Sequence, residues 1–203
     1  MHGSDNLITL WAAATLVQAL LLVGQAEPAR RLGEDTLQRC RRVLGPDHPA
    51  TLAAAAGLIF ALIELGEAEP ARVLGEDTLQ RCRRVHGPDH AITLLAATAL
   101  TVARNRLGEV EPARALGEDT LQRCRRVLGP DHVITLSAAA ALTVALARLG
   151  EAQAARTLGE DTLQRCRRAL GPSNPITLYL AQATGVGDLM LGDEAVDSPS
   201  RPL

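Results

Sequence analysis

The chain has 203 residues and a formal net charge of −2, and 47% of its residues are hydrophobic but only 1% are aromatic. The near-neutral charge argues against a protein that binds nucleic acid or another polyanion through a general basic surface. Because Trp11, Phe60 and Tyr179 are the only aromatic residues, the core must consist of leucine, alanine and valine, which favours an array of helices over a sheet protein.

The first apolar segment, 7–23, follows an opening, MHGSDN, that has no basic residue. A signal peptide begins with a basic region, so this opening does not predict one. The segment is short for a membrane span and contains Gln18. We therefore interpret it as a buried helix and expect no association with membranes.

One string, LGEDTLQRCRR, occurs four times without change, at 32–42, 74–84, 116–126 and 158–168. Its period of 42 residues falls in the range of about 20–50 residues that indicates a solenoid, in which each unit buries its apolar face against its neighbours. We predict one solenoid over 1–195 and a disordered tail at 196–203. The predicted units are about 5–45, 46–87, 88–129 and 130–171, followed by a half-unit at 172–192.

Each unit is predicted to contain two helices, A and B, and the second unit shows why. Gly45–Pro46 breaks the chain, Asp47 or His48 can cap a helix, and Pro49 suits its first turn. Helix A then extends to about Leu65 and ends at Gly66. Helix B begins near Pro70 and ends before Gly87–Pro88.

The repeated string predicts a helix with one buried side. The predicted buried stripe of the second unit is Ala71, Leu74, Gly75, Thr78, Leu79, Cys82 and Val85. The glycine in this stripe lets another helix approach closely, which offsets its helix-propensity cost of ~1 kcal/mol. On the opposite side, Asp77 precedes Arg81 by four residues and is expected to pair with it. The string therefore predicts a helix that packs each unit against its neighbour.

The segments LGPDHPATL and LGEAEPAR, each followed by a helix, resemble the 42-residue tetratricopeptide repeat of kinesin light chains. The resemblance covers roughly 4–195 and is closest to the version in large actinobacterial multi-repeat proteins. It implies an all-α, right-handed α-solenoid with A helices on the concave side and B helices on the convex side. It also implies a protein that binds peptides or partner proteins without catalysis.

Family members hold a peptide backbone with an asparagine pair in helix A. The matching positions here contain no asparagine; they are Ala14–Thr15, Ala56–Gly57, Thr98–Ala99 and Ala140–Ala141. The resemblance therefore implies a smoother and more apolar groove. Counting back from the glycine that ends each helix A, the family pattern predicts these groove residues: Trp11, Gln18, Phe60, Glu64, Val102, Asn105, Arg106, Val144, Arg148 and Tyr179.

All three aromatic side chains belong to this set, which suits a binding cleft with aromatic anchors. The same face could instead be filled by the next turn of the superhelix, by another subunit or by the C-terminal tail.

Arg104 stands where the other A helices carry a leucine: Leu20, Leu62 and Leu146. A buried, unpaired guanidinium is costly, so this side chain must reach solvent or a partner. With Arg106 and Arg148 it forms a possible anion contact at one end of the groove. A helix end with solvated arginines is an equally good interpretation.

The cysteines and histidines favour structural roles. Cys40, Cys82, Cys124 and Cys166 occur once per unit and are predicted to be small buried hydrophobic residues in a reducing compartment, hence the cytoplasm. His48, His90 and His132 give way to Asn6 and Asn174 in the first and last units, which indicates helix capping rather than zinc binding. We expect no metal, no cofactor and no catalysis.

The sequence thus predicts a non-catalytic scaffold for a protein or peptide partner that is amphipathic or apolar and carries some negative charge. The alternative is a structural protein that self-assembles into a dimer or an end-to-end filament. The first helix motivates this alternative, because no earlier helix covers its outer flank and solenoids usually need polar caps.

Overall fold

The structure, a computed structural model, describes residues 6–183, and within that range it contains nine α-helices and no strand. The A helices are α1 (Leu7–Leu22), α3 (Pro49–Glu64), α5 (Ala91–Leu107), α7 (Val133–Arg148) and α9 (Pro175–Ala183). The B helices are α2 (Ala26–Leu44), α4 (Ala68–His86), α6 (Val110–Val127) and α8 (Ala152–Ala169). The predicted all-α solenoid of helix pairs is confirmed. The predicted tail, 196–203, lies outside the described residues.

Glycines end the helices where the sequence predicts. Gly66 after α3 and Gly87 after α4 have φ angles of +79° and +82°. Side chains other than glycine are strained in this left-handed region, so the chain can leave each helix at these positions without cost from a Cβ atom. The bounds of α3 and α4 agree with the prediction within two residues.

The histidines cap the A helices, as predicted. Nδ1 of His48 accepts a hydrogen bond from the backbone N–H of Ala50 at 3.1 Å, and His90 and His132 do the same for α5 and α7. In α1 and α9 the side-chain oxygens of Asn6 and Asn174 take this role. Capping therefore explains why histidine and asparagine alternate at this position.

The A helices lie on the inner side of the array. Each B helix packs between two successive A helices, and successive A helices also pack extensively on each other. Successive B helices have no contact of that extent. Because the closer spacing marks the inside of a curved stack, the A helices form the concave face.

The glycine of the repeated string has the predicted role. A Cβ atom on Gly75 would lie 3.2 Å from Cδ1 of Leu100 in the next A helix. Gly33 and Gly117 meet Leu58 and Leu142 in the same way, at 3.3 Å. These glycines let each A helix approach the preceding B helix closely.

The charged residues of the string tie each loop to helix B. Arg81 donates to Asp77 at 2.9 Å and also to Asp47 at 3.1 Å, and Arg84 reaches Asp47 at 2.8 Å. Equivalent contacts join Asp89 to Arg123 and Arg126, and Asp131 to Arg165 and Arg168. The sequence predicted only the Asp77–Arg81 pair. The string therefore also fixes the loop that precedes helix A.

The assignment of one residue to the predicted buried stripe is wrong. Val85 is 44% exposed, whereas the next position of the repeat, occupied by Leu44 and Leu128 in other units, is half-buried and packs against the core, so the covered side of the last turn lies one residue further on. The rest of the stripe is buried or, at Leu74, half-buried. All four cysteines are free, buried and 0% exposed, as predicted. No helix among residues 6–183 is both long and apolar enough to cross a bilayer.

The loop aspartates make the fold sensitive to acid. Hydrogen bonds from Arg81, Arg123 and Arg165 lower the pKa values of Asp47, Asp89 and Asp131. A carboxyl whose pKa is lower in the folded chain stabilises that state above its unfolded pKa of about 3.9, and the stabilisation is lost as the pH falls through the folded value.

We therefore expect the melting temperature to be insensitive to these groups between pH 7 and pH 5 and to fall below pH 4. Thermal unfolding followed by circular dichroism across this range tests the expectation. The triple variant Asp47→Asn, Asp89→Asn, Asp131→Asn should melt lower at pH 7 and lose less on acidification. If the melting temperatures of the parent and the triple variant changed with pH in the same way, the three aspartates would not be the source of the acid sensitivity.

Candidate functional site

A cluster of polar side chains lies where the A helices converge on the concave face. It consists of Glu64, Arg106, Arg148 and Tyr179, and we call it the charged cluster. The guanidinium carbon of Arg106 is 6.0 Å from the ring centroid of Tyr179, although these residues belong to α5 and α9, two units apart. The curvature of the array thus brings a helix end against the aromatic ring, a cation–π arrangement.

The charges of this cluster act on the Tyr179 phenol. Burial raises the pKa of Tyr179, the positive charges of Arg106 and Arg148 lower it, and Glu64 raises it. The net direction is upward, so the phenol remains protonated at neutral pH. It therefore offers a hydrogen-bond donor beside two guanidinium groups.

Asn105 connects α5 to α7 beneath the cluster. Its Nδ2 donates to the Ala141 carbonyl at 2.8 Å, and its own backbone carbonyl accepts a hydrogen bond from Arg148. The side chain is 1% exposed, and its Oδ1 has no hydrogen-bond partner among the described residues. A buried acceptor without a partner costs about 1–3 kcal/mol, which offsets part of what the hydrogen bond to Ala141 contributes.

Arg106 and Arg148 have no ion-pair partner among residues 6–183. Arg106 faces the Tyr179 ring, and Arg148 donates to the Asn105 carbonyl. The arginines on helix B differ: Arg72, for example, bridges Glu69 and Glu76. Neither cation of the charged cluster is therefore held in a direct ion pair within the described part of the chain, and with Glu64 as its one carboxylate the cluster has a net positive charge.

The remaining predicted groove residues differ in their exposure. Phe60 and Val102 are half-buried and pack against a core cluster that includes Ala99 and Ala103. Val144 is half-buried, and Trp11 on α1 is 39% exposed. The Gln18 amide lies over Gly57 of α3, with Nε2 at 3.1 Å from the position that a Cβ there would occupy.

The positions that hold asparagine in kinesin-light-chain repeats are buried in the internal units. Gly57, Ala99 and Ala141 lie under neighbouring A helices, and the Thr98 hydroxyl donates to the Leu94 carbonyl of its own helix. Small residues at these positions let the A helices pack closely. They leave no side-chain amide there to hold a peptide backbone.

Arg104 lies apart from the charged cluster. Its Nη2 is 3.2 Å from Glu76, and its Nε is 3.7 Å from Glu109. Both carboxylates also lie within ion-pair distance of Arg72, on the side of the array that faces helix B. The structure brings Arg106 and Arg148 to one ring and gives Arg104 separate acidic partners. Arg104 therefore does not join the arginine pair beside Tyr179.

Replacing Arg104 with leucine should stabilise the chain. The equivalent residues Leu62 and Leu146 are only 6% exposed, so a leucine at 104 would also be buried. An exposed ion pair contributes 0–1 kcal/mol, whereas full burial of a leucine contributes about 1.5–3 kcal/mol. We expect a gain of about 1 kcal/mol in urea unfolding. A loss of stability would show that the Glu76–Arg104–Glu109 contact matters more than packing.

Comparison of the sequence with models of protein families identifies the family of this chain. Models described as tetratricopeptide repeat match residues 9–50, 51–92 and 102–168. The chain belongs to the tetratricopeptide repeat family. A comparison with curated proteins finds no match.

Solved structures agree with this tetratricopeptide repeat assignment at the level of the fold. A putative kinesin light chain from Podosopora anserina, described as having nearly identical TPR-like repeats, is 22% identical with a TM-score of 0.66, over 94% of this chain and 91% of that chain. A single-substitution variant of it is 23% identical with a TM-score of 0.64, over 89% and 87%. BtubC (BKLC) from P. vanneervenii is 16% identical with a TM-score of 0.61, over 97% and 88%.

Metal chemistry has no support in the part of the chain that the structure describes. No group of three or more histidine, cysteine, aspartate or glutamate side chains lies close enough there to hold an ion.

Proposed function

We propose that the chain is a non-catalytic scaffold that binds a partner protein or peptide on the concave face of its A helices. Tetratricopeptide repeats generally mediate interactions between proteins, and this supports the general role. The observation that carries the specific proposal is the pair Arg106 and Arg148, which has no carboxylate partner among the described residues and lies beside Tyr179. Two cations and one carboxylate leave this cluster with a net positive charge, which favours a ligand that supplies an anion.

The expected ligand is an amphipathic helix or an apolar peptide with a carboxylate near one end. Its apolar side chains would pack against Trp11, Phe60, Val102, Val144 and Tyr179. Its carboxylate would pair with Arg106 and Arg148, because a guanidinium binds a carboxylate with charge-assisted hydrogen bonds. The bond from Arg148 to the Asn105 carbonyl holds that guanidinium in place. Glu64 would disfavour the reversed orientation of an acidic peptide.

A random peptide library displayed on phage tests this proposal. We expect selection on the purified protein to enrich peptides that combine apolar residues with aspartate or glutamate. The variant Arg106→Ala, Arg148→Ala should bind a selected peptide at least about ten-fold more weakly, equivalent to 1.4 kcal/mol. Trp11 fluorescence reports binding within the groove.

The matched control is Arg83→Ala, Arg125→Ala, which removes two exposed arginines near the ends of α4 and α6 and keeps the same net charge change. This control should bind the peptide as the parent does. Equal losses in both double variants would mean that affinity follows overall charge and not the charged cluster. Selection of peptides without acidic residues would also contradict the proposal.

We further propose the cytoplasm as the compartment. Four buried free cysteines and no disulfide in the described residues suit a reducing environment.

A second candidate role is self-association through an uncovered terminal helix, giving a dimer or an end-to-end filament. The observation that favours it is the exposure of large apolar side chains on α1, including Ile8, Leu16 and Val23. Light scattering separates a monomer from growing particles.

A further inference from the structure

The outer side of α1 is a largely apolar surface with the exposed Thr15 near its middle. Ile8, Leu16 and Val23 are 74%, 51% and 68% exposed, and Ala12 and Ala19 between them are exposed too. Steps of three and four residues place these five on one side of a helix. We call them the N-terminal face. Helix α1 contains no charged residue.

Internal units bury the corresponding surface. In α3 the equivalents of the first four, Ala50, Ala54, Leu58 and Ala61, are 0%, 1%, 6% and 0% exposed, and the equivalent of Val23, Leu65, is half-buried. Leu58 lies against Gly33 of the preceding helix B, as Leu100 and Leu142 lie against their glycines. Leu16 is the first member of this leucine series and has no such glycine opposite it in the described chain. The N-terminal face is therefore a copy of the chain's own inter-unit surface without its cover.

The order of residues on this face is symmetric about its middle. Ile8 and Val23 lie at equal distances from the midpoint between Thr15 and Leu16, and so do Ala12 and Ala19. When two such helices pack antiparallel around that midpoint, each Ile8 meets a Val23 and each Ala12 meets an Ala19. Large side chains then meet at the ends, the alanines allow close approach on either side of the centre, and Leu16 faces Thr15 of the other copy beside the axis. No like charges are brought together.

We propose that the N-terminal face binds the same face of a second copy of this chain, with the two α1 helices antiparallel around a two-fold axis. This inference specifies the second candidate role, self-association, and is independent of ligand binding in the groove. Two-fold dimers are the commonest closed assemblies, and their interfaces require a surface that complements itself. The symmetric residue order supplies that property.

The opposite end of the array favours a dimer over a filament. There α9 packs on α7 and α8, and Gly159 of the last repeated string is already buried. The glycine of this last string is therefore not open to α1 of another copy, as the glycines of the other strings are open to the leucines of the following A helices. Head-to-tail stacking would therefore not reproduce the internal interface.

The interface is expected to be modest. A helix of 16 residues is about 24 Å long, and one helix pair buries less than the roughly 800 Å² per partner of a standard interface. The dimer should consequently dissociate on dilution. Sedimentation velocity over a wide range of concentrations should show conversion between the 21.5 kDa chain and a species of twice that mass.

Charge placement tests the antiparallel register. Ala12→Lys alone and Ala19→Asp alone each put an uncompensated charge into the interface, so each should weaken the dimer at least ten-fold. The double variant Ala12→Lys, Ala19→Asp should regain most of the lost affinity, because each lysine then faces an aspartate of the other copy. Within one chain these positions are two helical turns apart and do not pair. Val73→Asp, on an exposed position of α4, should dimerise as the parent does.

Each outcome decides the matter. A parent protein that remains monomeric at all concentrations, or one that forms growing particles, overturns the proposal. A double variant weaker than both single variants rules out the antiparallel register. Circular dichroism confirms that the variants fold. Because Ala19→Asp leaves the charged cluster intact, a selected acidic peptide should bind this variant with unchanged affinity, so failure of the dimer and failure of groove binding are distinguishable.

Discussion

Replacing Gly75 with leucine is expected to lower the free energy of unfolding by about 3 kcal/mol or more. The first added carbon would already lie 3.2 Å from Cδ1 and 3.4 Å from Cβ of Leu100, which is 2% exposed and has little room to move. Forcing further carbons into a packed interface costs about 1–3 kcal/mol and occasionally more. Urea unfolding followed by circular dichroism measures the change.

Gly75→Ala is the matched control for this substitution. The added methyl group must displace the end of the Leu100 side chain slightly, but alanine gains about 1 kcal/mol of helix propensity over glycine. We expect the two effects to leave stability within about 1 kcal/mol of the parent. If leucine were tolerated as well as alanine, close approach would not be the reason for glycine in the repeated string.

The four cysteines should react with a thiol reagent far more slowly in the folded chain than in the unfolded one. Burial raises the pKa values of Cys82, Cys124 and Cys166 from 9.0 to about 11, and it raises that of Cys40 as well. A pKa raised by two units lowers the fraction of thiolate at pH 8 by about 100-fold. The reaction slows in proportion, because the thiolate is the nucleophile. Exclusion of the reagent slows the reaction further.

Absorbance after addition of an aromatic disulfide reagent measures this rate, with the chain in guanidinium chloride as the reference. All four thiols should be at least about 100-fold slower in buffer, given their burial and raised pKa. Rapid reaction of one thiol per chain would identify a unit that opens locally. Rapid reaction of all four would show that the B helices do not bury this position.

The elements of the fold were predictable because their signals are local. Gly66 and Gly87 end helices through their own backbone freedom, and His48 caps α3 by bonding an amide two residues away. Because the sequence repeats, helix bounds predicted correctly in one unit apply to every other unit. The close approach at Gly75 was also predictable, because a glycine on the buried side of a helix is typical of a place where a second helix comes near.

The contacts that form the site were less predictable, because they depend on how successive units are rotated relative to each other. Helix periodicity shows which residues share a face of one helix. It does not show that Arg106 reaches Tyr179 two units on, or that Asn105 bonds Ala141. The family pattern placed these residues in one groove but gave no partners. The separation of Arg104 from Arg106 follows from helix geometry, because side chains two positions apart in a helix project in nearly opposite directions.

The tie from Asp47 to Arg81 and Arg84 spans 34 and 37 residues, so no local rule pointed to it. The signal was nevertheless present: an aspartate before each of the first four A helices occurs at a constant distance from the arginines of the string. Val85 was assigned to the buried stripe because it follows Cys82 by three residues, but in the last turn the packed position is four residues after the cysteine, as Leu44 and Leu128 show.

The contacts that join loop, helix B and the next helix A recur every 42 residues with the same residue types. Insertion or deletion of one whole period by unequal recombination would therefore leave every remaining junction chemically unchanged. A gene of this kind can lengthen or shorten its product in a single event and still encode a folding protein. Point substitutions in the A helices can then change which side chains the concave face presents. The number of repeats separately sets the length of that face.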